Sequence, residues 1–294
     1  MLKLPSVTKP NEQADWAELC CLFSDQLSLS RSELRIMFES DVADEEKNDL
    51  EDCEAVDTII DDIWTEIIWR NSVGGHFYPF TISPENTLTK KADWNQYLPY
   101  VYMLLLSRHY FFASTKINTA LEQYSKPFER LTTHATRKYL GLSICIGSPR
   151  RYGVPTNFIE ALGVTSDLCN EALCSEPNIL KWAKDEDVDV IAWRPIDNRS
   201  GQVFILLQCT IERNWHSKPK VDIDTWWKII DFSAKPMPGL AIPFVEHEEW
   251  HKRSIRKGVI FDRLRLSRLF QNSKYLHKYM KSFCETQIPK LPTA

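Results

Sequence analysis

The 294-residue sequence has no run of about 18 apolar residues, the length a helix needs to cross a bilayer, so no membrane span is expected. Its longest apolar stretch, 97–106, is too short and predicts a buried helix. The first sixteen residues, MLKLPSVTKPNEQADW, lack an apolar segment with a cleavage site, so no secretory signal is expected. None of the eight cysteines forms a C-x-x-C pair, and most lie among apolar neighbours, where a free thiol behaves as a small hydrophobe. That pattern argues against a disulfide framework or a zinc ribbon and for a reducing, cytoplasmic setting. Nine glycines is few, which favours helices and defined strands over long loops, and no repeat or low-complexity tract is present.

What the chain does have is 43% hydrophobic and 26% charged residues, the profile of a globular protein with a real core. The net charge of −4 conceals an asymmetry: residues 1–62 carry 17 acidic and 5 basic side chains, whereas 251–281 carry 10 basic and 1 acidic. Local patches set the field that a ligand meets, so a polyanionic partner is compatible with this balance.

Periodicity divides the chain. Up to about residue 125 the pattern is helical, at 15–27, 30–38, 56–69 and 93–107, with an acidic loop or helix end at 42–54 and irregular chain around Pro79 and Pro84. This acidic part reads as a solvated outer face or a partner-docking module. From Lys126 helices and strands alternate. KPFERLTTHATRKYLG predicts a helix with Pro127 in its first turn, and further helices are expected at 157–174, on to Lys184, at 222–232 with Asp222 as cap, and at 261–283. Strands are expected at 188–193, 202–210 and 238–245. The expectation is an α/β class: a mixed sheet flanked by helices at 126–294, preceded by a helical domain at 1–125.

The centre of the second part is DVDVIAWRPIDNRSGQVFILLQCTIERNWHSK, 187–218. Two apolar runs flank a turn cluster, Pro195 to Gly201, which signals a β-hairpin. Symmetric pairing makes facing residue numbers total 397, so Asp189 faces Gln208. Because side chains alternate with period two, Asp187, Asp189, Gln208 and Thr210 then gather at the hairpin's open end. A one-residue slip would scatter them.

An acid opening one strand, then an acid or amide two positions before a lysine late in the next, resembles the PD-(D/E)xK nuclease superfamily, over about 126–246. The resemblance implies a restriction-endonuclease-like core around Mg²⁺ or Mn²⁺. It implies Asp189, Gln208 and Glu129, the last on a preceding helix, as metal ligands. Thr210 stands where the lysine belongs, so Lys218 takes the catalytic lysine's part. The chemistry is coherent: carboxylates and a divalent ion offset phosphate charge and activate water, and Mg²⁺ needs only one or two protein carboxylates. The implied role is an endonuclease acting on DNA in restriction or anti-phage defence, with other defence subunits or a second copy of the chain as further partners. The alternative is a nuclease-like subunit that has lost catalysis, which Gln208 and Thr210 favour. Each residue also has a plain reading: Asp189 bonding a turn, Gln208 as a satisfied buried amide, Lys218 as a surface lysine.

Two other motifs stand out. Lys252, Arg253, Arg256, Lys257 and Arg263, interleaved with Trp250 and Phe261, form the candidate DNA-backbone patch or simply a solvated basic face, with Arg263, inside an apolar run, also readable as a structural ion-pairing residue. His247-Glu248-Glu249-Trp250-His251 matches H-E-x-x-H; on a helix the two histidines would share a face for Zn²⁺, as in a metallopeptidase.

Overall fold

The computed structural model describes residues 9–26, 28–42, 51–92, 94–107, 121–150, 153–175, 185–270 and 273–287. The chain forms two compact units, Met1–Thr115 with His277–Ala294, and Lys116–Leu276. The chain after Leu276, expected with the second domain, clusters with the first.

In the first unit, α1 (Pro10–Phe23), α2 (Arg31–Val42), α3 (Glu51–Gly74) and α4 (Leu98–Ser107) are the expected helices. The stripe of Val56, Ile60, Ile63 and Ile67 on α3 is buried, as its spacing requires. The chain around Pro79 and Pro84 is not irregular. It pairs as β2 (Phe80–Ile82) with β3 (Thr87–Lys90), and β1 (Ser28–Ser30) adds to β3's other side. These strands are three or four residues long, too short for alternation to show, and the left-handed Asn86 makes their turn. Of the acidic loop expected at 42–54, residues 43–50 lie outside the described residues and α3 begins at Glu51.

The acidic face is divided. Asp57 and Asp61 are exposed and pair with Arg35 and Arg31. Asp15, Glu18 and Glu66, however, are buried around Arg70, which donates to Asp15 Oδ1 at 2.6 Å, Glu18 Oε1 at 2.9 Å and Glu66 Oε1 at 2.9 Å. Tyr78 and Tyr100 add their hydroxyls to Glu18 at 2.8 and 3.0 Å. This is a buried ionic core, where the sequence suggested a solvated surface.

The second unit is built on a five-stranded mixed sheet. Its strands are β4 (Leu142–Cys145), β6 (Val190–Arg194), β7 (Val203–Cys209), β9 (Met237–Ala241) and β10 (Val259–Phe261), in the order β10-β9-β7-β6-β4. The first three in space from the β4 edge are antiparallel; β7, β9 and β10 run parallel. Helix α5 (Leu121–Leu140) covers one face, burying Phe128, Leu131 and Ala135, and Ser143 Oγ donates to Thr133 O at 2.7 Å across that layer. Burying a side chain the size of Phe128 or Leu131 stabilises by about 1.5–3 kcal/mol. Ile191, Trp193, Phe204 and Leu206 point to the opposite face, against α6 (Phe158–Cys169) and Trp226 of α7 (Ile223–Trp227). That two-sided burial explains why the hairpin is apolar almost throughout.

Several helices are shorter than their patterns predict. Pro127 lies inside α5 rather than at its start. α6 is capped by Asn157 and ends at the left-handed Asn170, before a short pairing of β5 (Ala172–Leu173) with β8 (Ile230–Asp231). The expected helix on to Lys184 falls largely outside the described residues. Asp222 caps α7 as expected, but α7 stops at Trp227. The basic segment 261–283 is not one helix: after α8 (Trp250–Lys257), Gly258 at φ +88° turns the chain into β10. α9 (Arg263–Leu269), capped by Asp262, and α10 (Lys274–Gln287) follow. Among the described residues no helix is long and apolar enough to cross a membrane.

Candidate active site at the open end of the hairpin

The hairpin pairs Val190 with Leu207, Ile191 with Leu206 and Trp193 with Phe204. This is the expected symmetric register as far as Val190–Leu207, where the ladder ends one residue short of Asp189 and Gln208. Asp187, Asp189, Gln208 and Thr210 line one cleft of about 240 Å³, together with Ser125, Asp185, Glu212 and Lys218.

Asp189 sits where the ladder ends. Its N–H donates to Leu207 O at 2.8 Å, and its carbonyl accepts from both Ile146 N at 2.8 Å and Gly147 N at 3.1 Å. Its Oδ2 accepts from Cys209 N at 2.7 Å, which turns Oδ1 toward the end of β4. There it meets Glu129 of α5. A Cβ built on Gly147 would lie 2.5 Å from Asp189 Oδ1 and 2.7 Å from Glu129 Oε2. The two carboxylate oxygens therefore face one methyl-sized space, kept open because residue 147 has no side chain.

Glu129 Oε2 also accepts from Lys126 Nζ at 2.8 Å and from the Cys145 thiol at 3.6 Å. Burial, reinforced by the Asp189 charge, pushes Glu129 up to about 8. Burial also lifts Asp189 to about 6, although the Cys209 N–H pulls it down. One ammonium thus lies beside two desolvated carboxylates.

The loop before Asp189 is strained. Glu186 and Asp187 have φ of 46° and 59°, left-handed values that non-glycine residues adopt at a cost of about 1–3 kcal/mol each. Trp226 Nε1 holds Glu186 O at 3.1 Å, Val188 N closes on Asp185 O at 3.0 Å, and Asp185 Oδ2 accepts from Ser148 N at 3.0 Å. These hydrogen bonds hold the loop in which Asp187 lines the cleft.

The other expected residues fare unevenly. Gln208 is buried and its Oε1 has no hydrogen-bond donor among the described residues, so it is not the satisfied core amide of the plain reading. Lys218 lines the cleft, but its ammonium is bound to Glu212 Oε1 at 2.7 Å rather than to the carboxylate pair. Lys126 is the lysine beside that pair. The K-x-x-E spacing on one helix face was the sequence signal for it, whereas nothing in the sequence marked Cys145 or Gly147.

The basic patch is largely spent on structure. Arg263 is fully buried, with Nε on Pro243 O at 2.8 Å, and Lys257 is buried with its ammonium on Lys218 O. Neither is free to meet a phosphate, which corrects their assignment as DNA contacts. Arg253 is mostly covered and shares Glu249 with Lys252. Lys252 and Arg256 remain exposed. The H-E-x-x-H arrangement does not form either: His247 precedes α8, which begins at Trp250, so the two histidines do not share a helical face.

Among the described residues no group of three or more His, Cys, Asp or Glu side chains could hold a metal ion. The donor set is thus two carboxylates, with an unpartnered amide oxygen nearby. That set does not make an all-protein cage. It does fit Mg²⁺ or Mn²⁺, which keep several waters and complete their shells with substrate phosphate. Comparison with family models, curated proteins and solved structures gives no match.

Proposed function

We propose that the second unit is a metal-dependent phosphodiesterase acting on nucleic acid, with a restriction-endonuclease-like core and DNA as its substrate. The observation that carries the reading is the convergence of Asp189 and Glu129 over Gly147, at the edge of an open cleft. Two buried carboxylates held together above their ordinary pKa values are a seat for a cation, because a divalent ion removes the repulsion that keeps a proton on them. A bound Mg²⁺ or Mn²⁺ supplies Lewis-acid stabilisation of the phosphate and a more acidic water. This chain's part is to orient Asp189 through Cys209 N, to hold Glu129 on α5 and to line the cleft with Lys218, whose ammonium can turn from Glu212 to a phosphate oxygen. Restriction or phage defence, alone or with other subunits, is the cellular role in keeping with that activity.

The decisive assay is cleavage of plasmid, single-stranded DNA and RNA with Mg²⁺ or Mn²⁺, using Asp189→Ala as control. Metal-dependent cleavage lost in the variant is expected. Equal cleavage by both would refute the reading.

A second reading is a binding subunit without catalysis. It is favoured by the neutral Gln208, by Thr210 in the lysine position and by the Lys218–Glu212 pair. It predicts nucleic-acid binding with no cleavage under any metal.

A further inference from the structure

We infer that Lys126 is the resident counter-ion of the Glu129–Asp189 pair, and that a divalent cation enters by displacing its ammonium from Glu129. The inference rests on the metal site proposed above and names the step that governs its loading. Lys126 Nζ lies 2.8 Å from Glu129 Oε2, the same oxygen that faces Gly147 and Asp189 Oδ1 and also accepts the Cys145 thiol. A single carboxylate oxygen that already holds an ammonium and a thiol proton has no room for a cation in the same seat. The pair is shielded, with 12% of the lysine side chain and 6% of the glutamate side chain exposed, so water does little to weaken it.

The lysine also has somewhere to go. Ser125, its neighbour on α5, lines the cleft, as do Asp189 and Lys218. An ammonium displaced from Glu129 moves toward that cleft, where the phosphate of a bound polynucleotide accepts it. Lys126 thereby exchanges one anion for another: carboxylate before the metal arrives, phosphate afterwards. The metal-free site is kept from collapsing or repelling itself, and full metal affinity is reached only when a phosphate draws the lysine away. Metal and nucleic acid then bind with positive coupling.

The test is direct Mn²⁺ binding to the full chain, by electron paramagnetic resonance or calorimetry, for wild type, Lys126→Met, Lys126→Arg and Asp189→Ala, with circular dichroism confirming that each is folded. Lys126→Met keeps the length of the stem and removes the charge; it is expected to bind Mn²⁺ about tenfold tighter, a change of about 1.4 kcal/mol, while Lys126→Arg stays near wild type. Adding a short phosphorothioate oligonucleotide is expected to tighten Mn²⁺ binding in wild type and to do so far less in Lys126→Met. Lys126→Gln repeats the comparison should Lys126→Met not fold. Binding that requires Asp189 but is equal or weaker in Lys126→Met overturns this inference alone. Binding unaffected by Asp189→Ala overturns the metal site itself, and this inference with it.

Discussion

Both units bury carboxylates, and the two groups are built to opposite ends. Around Arg70 three carboxylates accept from Nε and Nη1 of the guanidinium, Nη2 donates to Asn11 O, and two tyrosine hydroxyls add to the shell of Glu18. Burial pulls the Arg70 pKa down, yet Glu18, Asp15 and Glu66 outweigh it and hold the group well above its ordinary value. The Glu129–Asp189 pair has one lysine, on Glu129, an open space at Gly147 and a cleft beside it. The first arrangement supplies its carboxylates with donors from a guanidinium and two hydroxyls and holds a fold together. The second turns Asp189 Oδ1 and Glu129 Oε2 to a space that no side chain fills, beside a cleft that Asp189 lines.

That contrast is broken most severely at Arg70. Removing one partner of a buried ionic cluster costs about 3–5 kcal/mol, so Arg70→Met should unfold the first unit or lower its melting temperature by many degrees in thermal denaturation. At the other cluster the sign inverts. Glu129→Gln removes a desolvated charge; it should hold or raise the melting temperature at pH 8 while abolishing metal-dependent cleavage. A variant that loses stability and activity together would make Glu129 a structural residue like Glu18.

The pH dependence sharpens the same point. A carboxyl raised from 4.5 to about 8 by folding binds more protons in the native state between those values. Stability from Glu129 is therefore full below its unfolded pKa and is lost as pH rises toward 8, and Asp189 adds the same trend between 3.8 and about 6. Denaturant titrations should show the second unit weaker at pH 8 than at pH 5, by on the order of 1–3 kcal/mol. Mn²⁺ should reverse the loss, since it binds the native pair alone.

Gly147→Ala is a smaller insult. Its methyl would lie 2.5 and 2.7 Å from the two carboxylate oxygens, so overpacking should cost about 1–3 kcal/mol in stability and weaken Mn²⁺ binding. Smallest of all, Lys252→Ala and Arg256→Ala should lower polyanion affinity uniformly and reduce its salt dependence by about one unit of slope each, with no effect on folding.

How much of this was legible beforehand follows from which forces are local. The hairpin register was readable because two-sided burial leaves an apolar run in which polar residues stand out, and because the turn fixed the symmetry. It brought Asp187, Asp189, Gln208 and Thr210 to one cleft. The partner of Asp189 on the next element was readable only by resemblance, through Glu129. Lys126 was overlooked because Lys218 lay closer in sequence to the missing lysine, although distance along a chain says little about distance across a sheet. The ionic core around Arg70 was missed, and Arg263 was placed among the DNA contacts despite the apolar run around it, for one reason. Charge alone reads as solvent exposure, and only tertiary contacts between residues far apart in the chain, such as Arg70 with Asp15 at a separation of 55, reveal otherwise. The basic helix expected at 261–283 does not form as one piece: Phe261 ends β10 and Asp262 caps the short α9, a cap signal that lay inside an apparently continuous helical pattern.

The central claim is that Glu129 and Asp189 together grip a divalent ion. Crystals soaked in Mn²⁺ and measured at the manganese absorption edge test it directly. The account predicts an anomalous peak bonded to Asp189 Oδ1 and Glu129 Oε2, with Lys126 Nζ moved off the glutamate. A fully occupied peak elsewhere, with the lysine still on Glu129, would contradict it.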